Sequence, residues 1–472
     1  MPQDKPTIFI SISIGWAVRN FFQTGIIGAL KDRYRIVVFT TRAIQEALIR
    51  QGYGEGIEFQ VMEQTKEPRR WRLFRQFKKK IYMESRRCST EEIEEKYKPR
   101  PLYQRIGGRA VRLLIRCVRA TTLLNAVESL DFRINRDAEM AAVFGRIRPL
   151  FFFATHASSI FEERLLRSAV RAGVPVTFMV LSWDHLSSKV VLSRRFDRIF
   201  VWNKITKREL LETYPNYRED QIRVVGAPQF DVYTEKPRLS YAQWCENWGL
   251  DKARRTLLFT TAPHLRHEQQ HVIIERLLQG IVEGRNLPSD LQIFIKCHPF
   301  DTTPEYDSFV EKYPVAVYRP AANLSEPQDN WIPSPDEMII TRDSLYYCSV
   351  NLNIFSTITL EAAFLDRPII HIAFDPDPPK NRIPCREYYN FAHFKRVVDL
   401  DGALMVESFE ELFGAVNSYL CDPDIKKEGR AMIVKTFFDI QKRSSSARVI
   451  QELLNHPDKS EGSLGARACP SP

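Results

Sequence analysis

This 472-residue sequence predicts an α/β protein made of two doubly wound halves that face a central cleft. Three observations carry that expectation. Short β-rich runs alternate with longer helical stretches, the order that parallel sheets with crossover helices require. The alternation occurs twice, either side of a polar, Trp-containing stretch near residues 232–253. The length suits two or three domains, and 44% hydrophobic with 27% charged residues is a globular balance that permits a large buried core.

In the first half the strand candidates are 7–14, 34–40, 57–62, 149–155, 174–181, 198–202 and 221–225. Helical candidates at 19–31, 41–51, 159–172 and 204–214 lie between them. Segment 159–172 gathers Ile160, Leu165, Ala169 and Val170 near one face, as an amphipathic crossover should. The second series has strands at 256–261, 291–296, 315–318, 350–354, 368–372 and 397–398. Its helices are expected at 268–282 and 358–365, then 408–420 and one last helix from about 426 to 454. The expected division is a first half at 1–231, a connection at 232–253 and a second half at 254–455. A tail at 456–472, rich in Ser, Gly and Pro, reads as disordered. No short-period repeat is visible, which argues against a solenoid.

The net charge of +10 is unevenly placed. Residues 66–119 hold 18 Lys and Arg against 6 Asp and Glu, more than the whole excess. A basic insertion at about 66–120 therefore sets the charge, and the rest of the fold is not basic. Within it Trp71, Phe74 and Phe77 share a helical face among cations, so residues 69–80 suit an anionic membrane surface. The competing reading is a solvated insertion whose aromatics pack inward, and nucleic acid is the least favoured partner. The eight cysteines are scattered without CxxC spacing, which points to buried free thiols in a reducing compartment. The N-terminus lacks the pattern of a signal peptide, and no apolar run approaches the ~18 residues of a membrane span. The expected location is cytoplasmic, with possible attachment at the inner face of a membrane.

In doubly wound sheets, ligands bind beyond the carboxyl ends of the strands. The first strand ends at Gly15 and runs into Arg19 and Asn20, candidates for acceptor contacts. His156 follows the run 151–155, and Asp184 and His185 follow 176–181. Two imidazoles and a carboxylate are the groups best suited to removing a proton near neutral pH, so these three are the candidate catalytic residues. In the second half, strand ends present Thr261, His264, Arg266, Lys296 and His298, with Ser356, Thr357 and Glu361 at the start of a helix. Cations and helix N-terminal amides hold phosphate oxygens, and a Glu accepts ribose hydroxyls, so the set suits a nucleotide diphosphate. Taken alone, Ser356-Thr357 would be an ordinary helix cap.

Lys296-Cys-His298-Pro299, followed by Ser356-Thr357-Ile-Thr-Leu-Glu361, resembles the second domain of GT-B glycosyltransferases. It is similar in particular to the bacterial surface-polysaccharide and CDP-glycerol glycerophosphotransferase-like enzymes with "HP" and "S-S/T" motifs. The stretch Asp197-Arg-Ile-Phe-Val-Trp-Asn and the run from Val224 to Asp231 resemble the end of their first domain, so the similarity covers about residues 145–450. The resemblance implies phosphate contacts from His298, Ser356 and Thr357, and ribose contacts from Glu361. It implies transfer of a sugar or polyol phosphate from a nucleotide-activated donor to a surface-glycan or lipid-linked acceptor, with no cofactor. The missing acidic motif of sialyltransferases argues against a sialic acid donor. A non-hydrolysing nucleotide-sugar 2-epimerase of the same fold and a non-catalytic nucleotide-sugar-binding protein are the alternatives. Asp375-Pro-Asp377 has metal-motif spacing, but basic groups and helix dipoles stabilise a leaving diphosphate without metal, so none is expected.

Overall fold

The computed structural model describes residues 5–62, 67–85, 88–98, 101–157, 159–184, 186, 191–264, 266–322, 331–377, 379, 382–438 and 443–456, with only the backbone at 102–105. The candidate His185 and the tail beyond His456 lie outside the described residues.

The first half is a sheet of β1 (Thr7–Ile12), β2 (Arg35–Thr40), β3 (Ile57–Val61), β4 (Phe152–Ala154), β5 (Val176–Met179), β6 (Arg198–Val201) and β7 (Ile222–Val224). The second contains β8 (Arg255–Thr260), β9 (Leu291–Lys296), β10 (Val315–Tyr318), β11 (Val350–Asn353), β12 (Ile369–Ile372) and β13 (Leu404–Val406). Their spatial orders are β3-β2-β1-β4-β5-β6-β7 and β10-β9-β8-β11-β12-β13, with every pairing parallel. Each order reverses direction once, at β1/β4 and at β8/β11, and in doubly wound sheets such edges are where ligands generally bind.

Both faces of the first sheet are covered. Phe9, Phe152 and Phe178 pack on one side, while Ile8, Ile10, Phe151 and Phe153 pack on the other. This is why its inner strands read as continuous apolar runs, while the edge strand β3 alternates apolar with polar residues. The second core also takes in Trp183, Trp202 and Phe230 from the first half, so the halves share apolar surface. Helix Tyr241–Trp248, in the expected connection, packs Trp244 edge-on to Phe294 of β9.

Three elements differ from expectation. Segment 19–31 is not one helix. A π-helical turn, Arg19–Gln23, separates helices Gly15–Val18 and Ile26–Leu30, and such turns gather at functional sites. Val397 and Val398 lie in helix Ala392–Val398, and the last strand is β13. The long final helix is two, Lys427–Phe437 and Ser445–Leu454. Asn203 Nδ2 donates to the Phe437 carbonyl at 2.9 Å, and the Asp231 carboxylate accepts from Ser445 N and Ser446 N at 2.8 Å each. Those bonds satisfy the broken ends. The last helix then packs Val449 and Leu453 on the first sheet.

The basic insertion is helical, with Arg69–Ser85, Ser89–Tyr97 and Leu102–Cys117, and helix Ala120–Ile134 flanks it. Trp71 is buried, with the Arg167 guanidinium 4.7 Å from its ring, and Phe74 packs against the cluster of Ile81, Val111, Leu124 and Val127. Of the three aromatics expected on one open face, only Phe77 stays exposed. Lys78 bonds Asp131 at 2.8 Å beside Arg167 and Glu163, pinning the insertion to helix Ile160–Arg171. Burial works against the charged form of Asp131, but Lys78 and Arg167 outweigh it and hold its carboxyl below the usual range.

Helix Ser89–Tyr97 crosses to the second half. Ser89 Oγ donates to the Asn390 carbonyl at 2.9 Å, and Tyr97 OH donates to Glu387 Oε1 at 2.9 Å. Thr90 Oγ1 accepts from Ala392 N at 2.9 Å and so caps helix Ala392–Val398 from about 300 residues away. Ile93 and Tyr97 pack on Ile383, Tyr388, Phe391 and Phe355.

Candidate functional site

The candidate donor residues surround the β8/β11 edge and its neighbour β9. Thr261 follows β8 and accepts from His298 N through Oγ1 at 2.8 Å, which fixes the turn after β9. Phe300 N donates to His298 Nδ1 at 3.1 Å. An accepting Nδ1 puts the proton of the neutral ring on Nε2. Burial, reinforced by Lys296, lowers the His298 pKa to about 4, so at neutral pH the ring is an uncharged N–H donor. Lys296 Nζ reaches Glu337 Oε1 at 2.6 Å, and Tyr318 OH donates to Glu337 Oε2 at 2.6 Å.

The turn after β11 carries the strain. Phe355 has φ +42°, a conformation that a bulky side chain rarely adopts. Tyr389 OH accepts its N–H at 3.0 Å, and Tyr388, Phe391 and Phe394 enclose its ring. Ser356 Oγ accepts from Ile358 N at 3.4 Å, while Thr357 is exposed and makes no capping bond. Glu361, one turn on, interacts electrostatically with Tyr233 of the chain between the sheets. Burial pushes its pKa up, against the pull of Tyr233, Arg19 and Lys296.

Arg19 comes from the other half. The π-helical turn directs it toward Glu361, Tyr233 and Glu337, and burial lowers its pKa against their upward pull. Its guanidinium lies 4.9 Å from the centre of the Trp16 ring and its Nε donates to Asn20 Oδ1 at 3.1 Å. Arg19, Lys296, Glu337, Glu361 and Tyr233 thus form one electrostatic group spanning both halves. His264 and Arg266 stand at its margin. His264 Nδ1 is 3.5 Å from Thr303 Oγ1, and exposed Arg266 lies over Tyr388 at 5.3 Å.

Gly15 sets how closely the halves meet. A Cβ there would overlap the Trp331 carbonyl, where Trp16 meets Trp331 edge-on at 5.0 Å and Gln23 Nε2 donates to the Pro333 carbonyl at 2.9 Å. Gly15→Ala should cost about 1–3 kcal/mol of stability through overpacking, seen as a lowered Tm. Gly28→Ala, whose added methyl meets nothing within 4 Å, should be neutral or slightly stabilising.

On the β1/β4 side, His156 and Glu162 line one cavity of about 210 Å³ with Ala154, Leu166, Arg167 and Phe196. Ser13 Oγ donates to Glu162 Oε1 at 2.9 Å. Burial raises the Glu162 pKa to about 8, against the hydrogen bonds from Ser11 and Ser13. Glu162 was missed as a candidate because Ser159 caps its backbone N–H at 3.2 Å, so Ser-x-x-Glu reads as a helix start. Its place one turn past the strand end carrying His156 was the available signal. Asp184 does not line this cavity. It is buried and accepts from Ser182 Oγ at 2.5 Å.

The Asp375 carboxylate is engaged by Arg382 and Cys385 N, each at 2.8 Å, and Asp377 meets Gln269 at 3.2 Å. Among the described residues no cluster of three or more His, Cys, Asp or Glu is arranged to hold a metal.

Two parallel sheets with facing switch-point edges define the class, and the fold is GT-B. The chain is similar over its length to solved structures of that fold. A putative UDP-N-acetylglucosamine 2-epimerase from Listeria monocytogenes matches with TM-score 0.54 at 11% identity, over 96% of each chain. The UDP-GlcNAc 2-epimerase from Methanocaldococcus jannaschii matches with TM-score 0.53 at 12% identity, over 96% of this chain and 100% of that one. The S. aureus MnaA–UDP co-structure matches with TM-score 0.51 at 11% identity, over 98% and 100%. No protein-family model matches the chain, and no curated protein matches it in sequence.

Proposed function

We propose that this protein is a nucleotide-sugar-dependent glycosyltransferase. It moves a sugar or polyol phosphate from a nucleotide-activated donor to a surface-glycan or lipid-linked acceptor. The observation that carries the reading is the group joining Arg19 of one half to Lys296 and Glu361 of the other, beside the neutral N–H of His298 and the turn at Ser356-Thr357. Lys296 and His298 would neutralise and hydrogen-bond a diphosphate as it leaves, and Glu361 would take the ribose. The acceptor enters from the first half, where His156 and Glu162 are the proton-handling groups and Asp184 supports the neighbouring loop.

A second reading, a nucleotide-sugar 2-epimerase, draws on the same Glu162. A carboxyl titrating near neutrality can also exchange a carbon-bound proton. Calorimetry with UDP, GDP, CMP and CDP tests donor binding. UDP comes first, because a structure of similar fold was solved with it. Product analysis then separates the readings. A transferase releases nucleotide only with an acceptor, whereas an epimerase returns an intact nucleotide sugar. Failure of all four nucleotides to bind overturns both.

A further inference from the structure

We infer that helix Leu102–Cys117 is a membrane-docking element that lies flat on an anionic lipid surface. Eight of the thirteen exposed large hydrophobics among the described residues fall in the insertion and its flanking helix: Leu73, Phe77, Ile106, Leu113, Leu114, Val118, Leu130 and Ile134. Such a concentration marks an interaction surface, whereas scattered ones need no explanation. Helix Leu102–Cys117 has two apolar faces. Val111 and Ile115 pack inward on Ile81 and Leu124. On the opposite side Ile106, Leu113 and Leu114 are 56%, 61% and 40% exposed. Their spacing of seven and eight residues makes one stripe along the helix axis.

Arginines border the stripe. Arg109 and Arg116 are exposed, and half-exposed Arg112 pairs with Glu84 at 3.4 Å. No acidic residue occurs between Glu95 and Glu128, so the whole of this helix is cationic. An apolar stripe edged by arginines fits the boundary between acyl chains and anionic headgroups. Sixteen helical residues are about 24 Å long, enough to lie in that boundary, and no described helix is long and apolar enough to cross it. The contact is thereby moved from residues 69–80, whose Trp71 and Phe74 are spent inside the protein, to the next long helix. This inference rests on the acceptor side of the reading above and deepens it, and its vesicle readout is separate from nucleotide binding.

The test is flotation of the full chain with vesicles of phosphatidylcholine and phosphatidylglycerol, compared with phosphatidylcholine alone. The wild type should float with the anionic vesicles only, and less as salt rises. Leu113→Ser/Leu114→Ser should lower partitioning at least 10-fold at every salt concentration. Arg109→Gln/Arg116→Gln should lower it about 30-fold at low salt and weaken the salt dependence. Arg69→Gln/Arg70→Gln should have the smaller effect. UDP affinity measured on the same samples should not change in any variant. The inference is overturned if the wild type ignores anionic vesicles at low salt, or if the serine variant floats like the wild type. It is also overturned if light scattering shows that the stripe instead holds two copies together. Failure of the wild type to bind any of UDP, GDP, CMP and CDP would overturn the proposed function and leave the vesicle result standing.

Discussion

Glu162→Gln should slow a single turnover by about 10²–10⁴-fold while leaving donor affinity unchanged. The amide copies the neutral carboxyl in shape and can still accept from Ser13, so the fold should survive. What is lost is the ability to take a proton. If Glu162 is the base, the wild-type rate rises with pH and levels off above about 8, and the variant shows no such rise. Stability moves in the opposite direction. A folded pKa of about 8 against 4.5 means the unfolded chain gives up this proton first as pH rises. The group's contribution is complete below pH 4.5 and gone above about 8, a difference of a few kcal/mol. The variant should therefore lose less stability than the wild type across that window, which chemical denaturation at several pH values measures. Asp184→Asn and His156→Ala belong in the same series. A full effect from either one, with Glu162→Gln near wild type, would move the base to that residue.

His298→Ala should weaken UDP binding about 10–150-fold, the cost of about 1.5–3 kcal/mol for a hydrogen bond to a charged group. Calorimetry checks it. Because burial holds the pKa near 4, the ring donates its Nε2–H as a neutral group, and UDP affinity should not follow a histidine titration near pH 6.5. Here the folded pKa is depressed. Its stabilising share is present above pH 6.5 and lost as pH falls toward 4, so the alanine variant should lose less stability on acidification. An affinity that stays at the wild-type level removes His298 from the donor site.

The inner strands of the first sheet were legible because both of its faces are buried there, which leaves apolar runs such as Phe151-Phe152-Phe153 with little ambiguity. The donor candidates were legible because they follow those runs directly. What escaped was set by distant partners. Val397-Val398 has the β-branched look of a strand, yet Thr90 caps the helix that contains it. The last helix looks continuous, but Asp231 and Asn203 satisfy its broken ends. Arg19 was visible as a residue at a strand end, but its pull toward Glu361 in the other half was not. The turn that aims it is a π-helical insertion with no composition of its own.

The crossing of helix Ser89–Tyr97 bears on how such a molecule can change over evolutionary time. GT-B halves suggest interchangeable parts, one for the donor and one for the acceptor, traded by recombination at the connection. Here the first half supplies the cap of a second-half helix and part of the packing around Phe355, while the last helix returns to cover the first sheet. Exchanging either half at a single crossover near residues 232–253 would deliver a sheet without its matching strap. Point changes, which leave both crossings intact, should therefore be tolerated more readily than an exchange of whole halves.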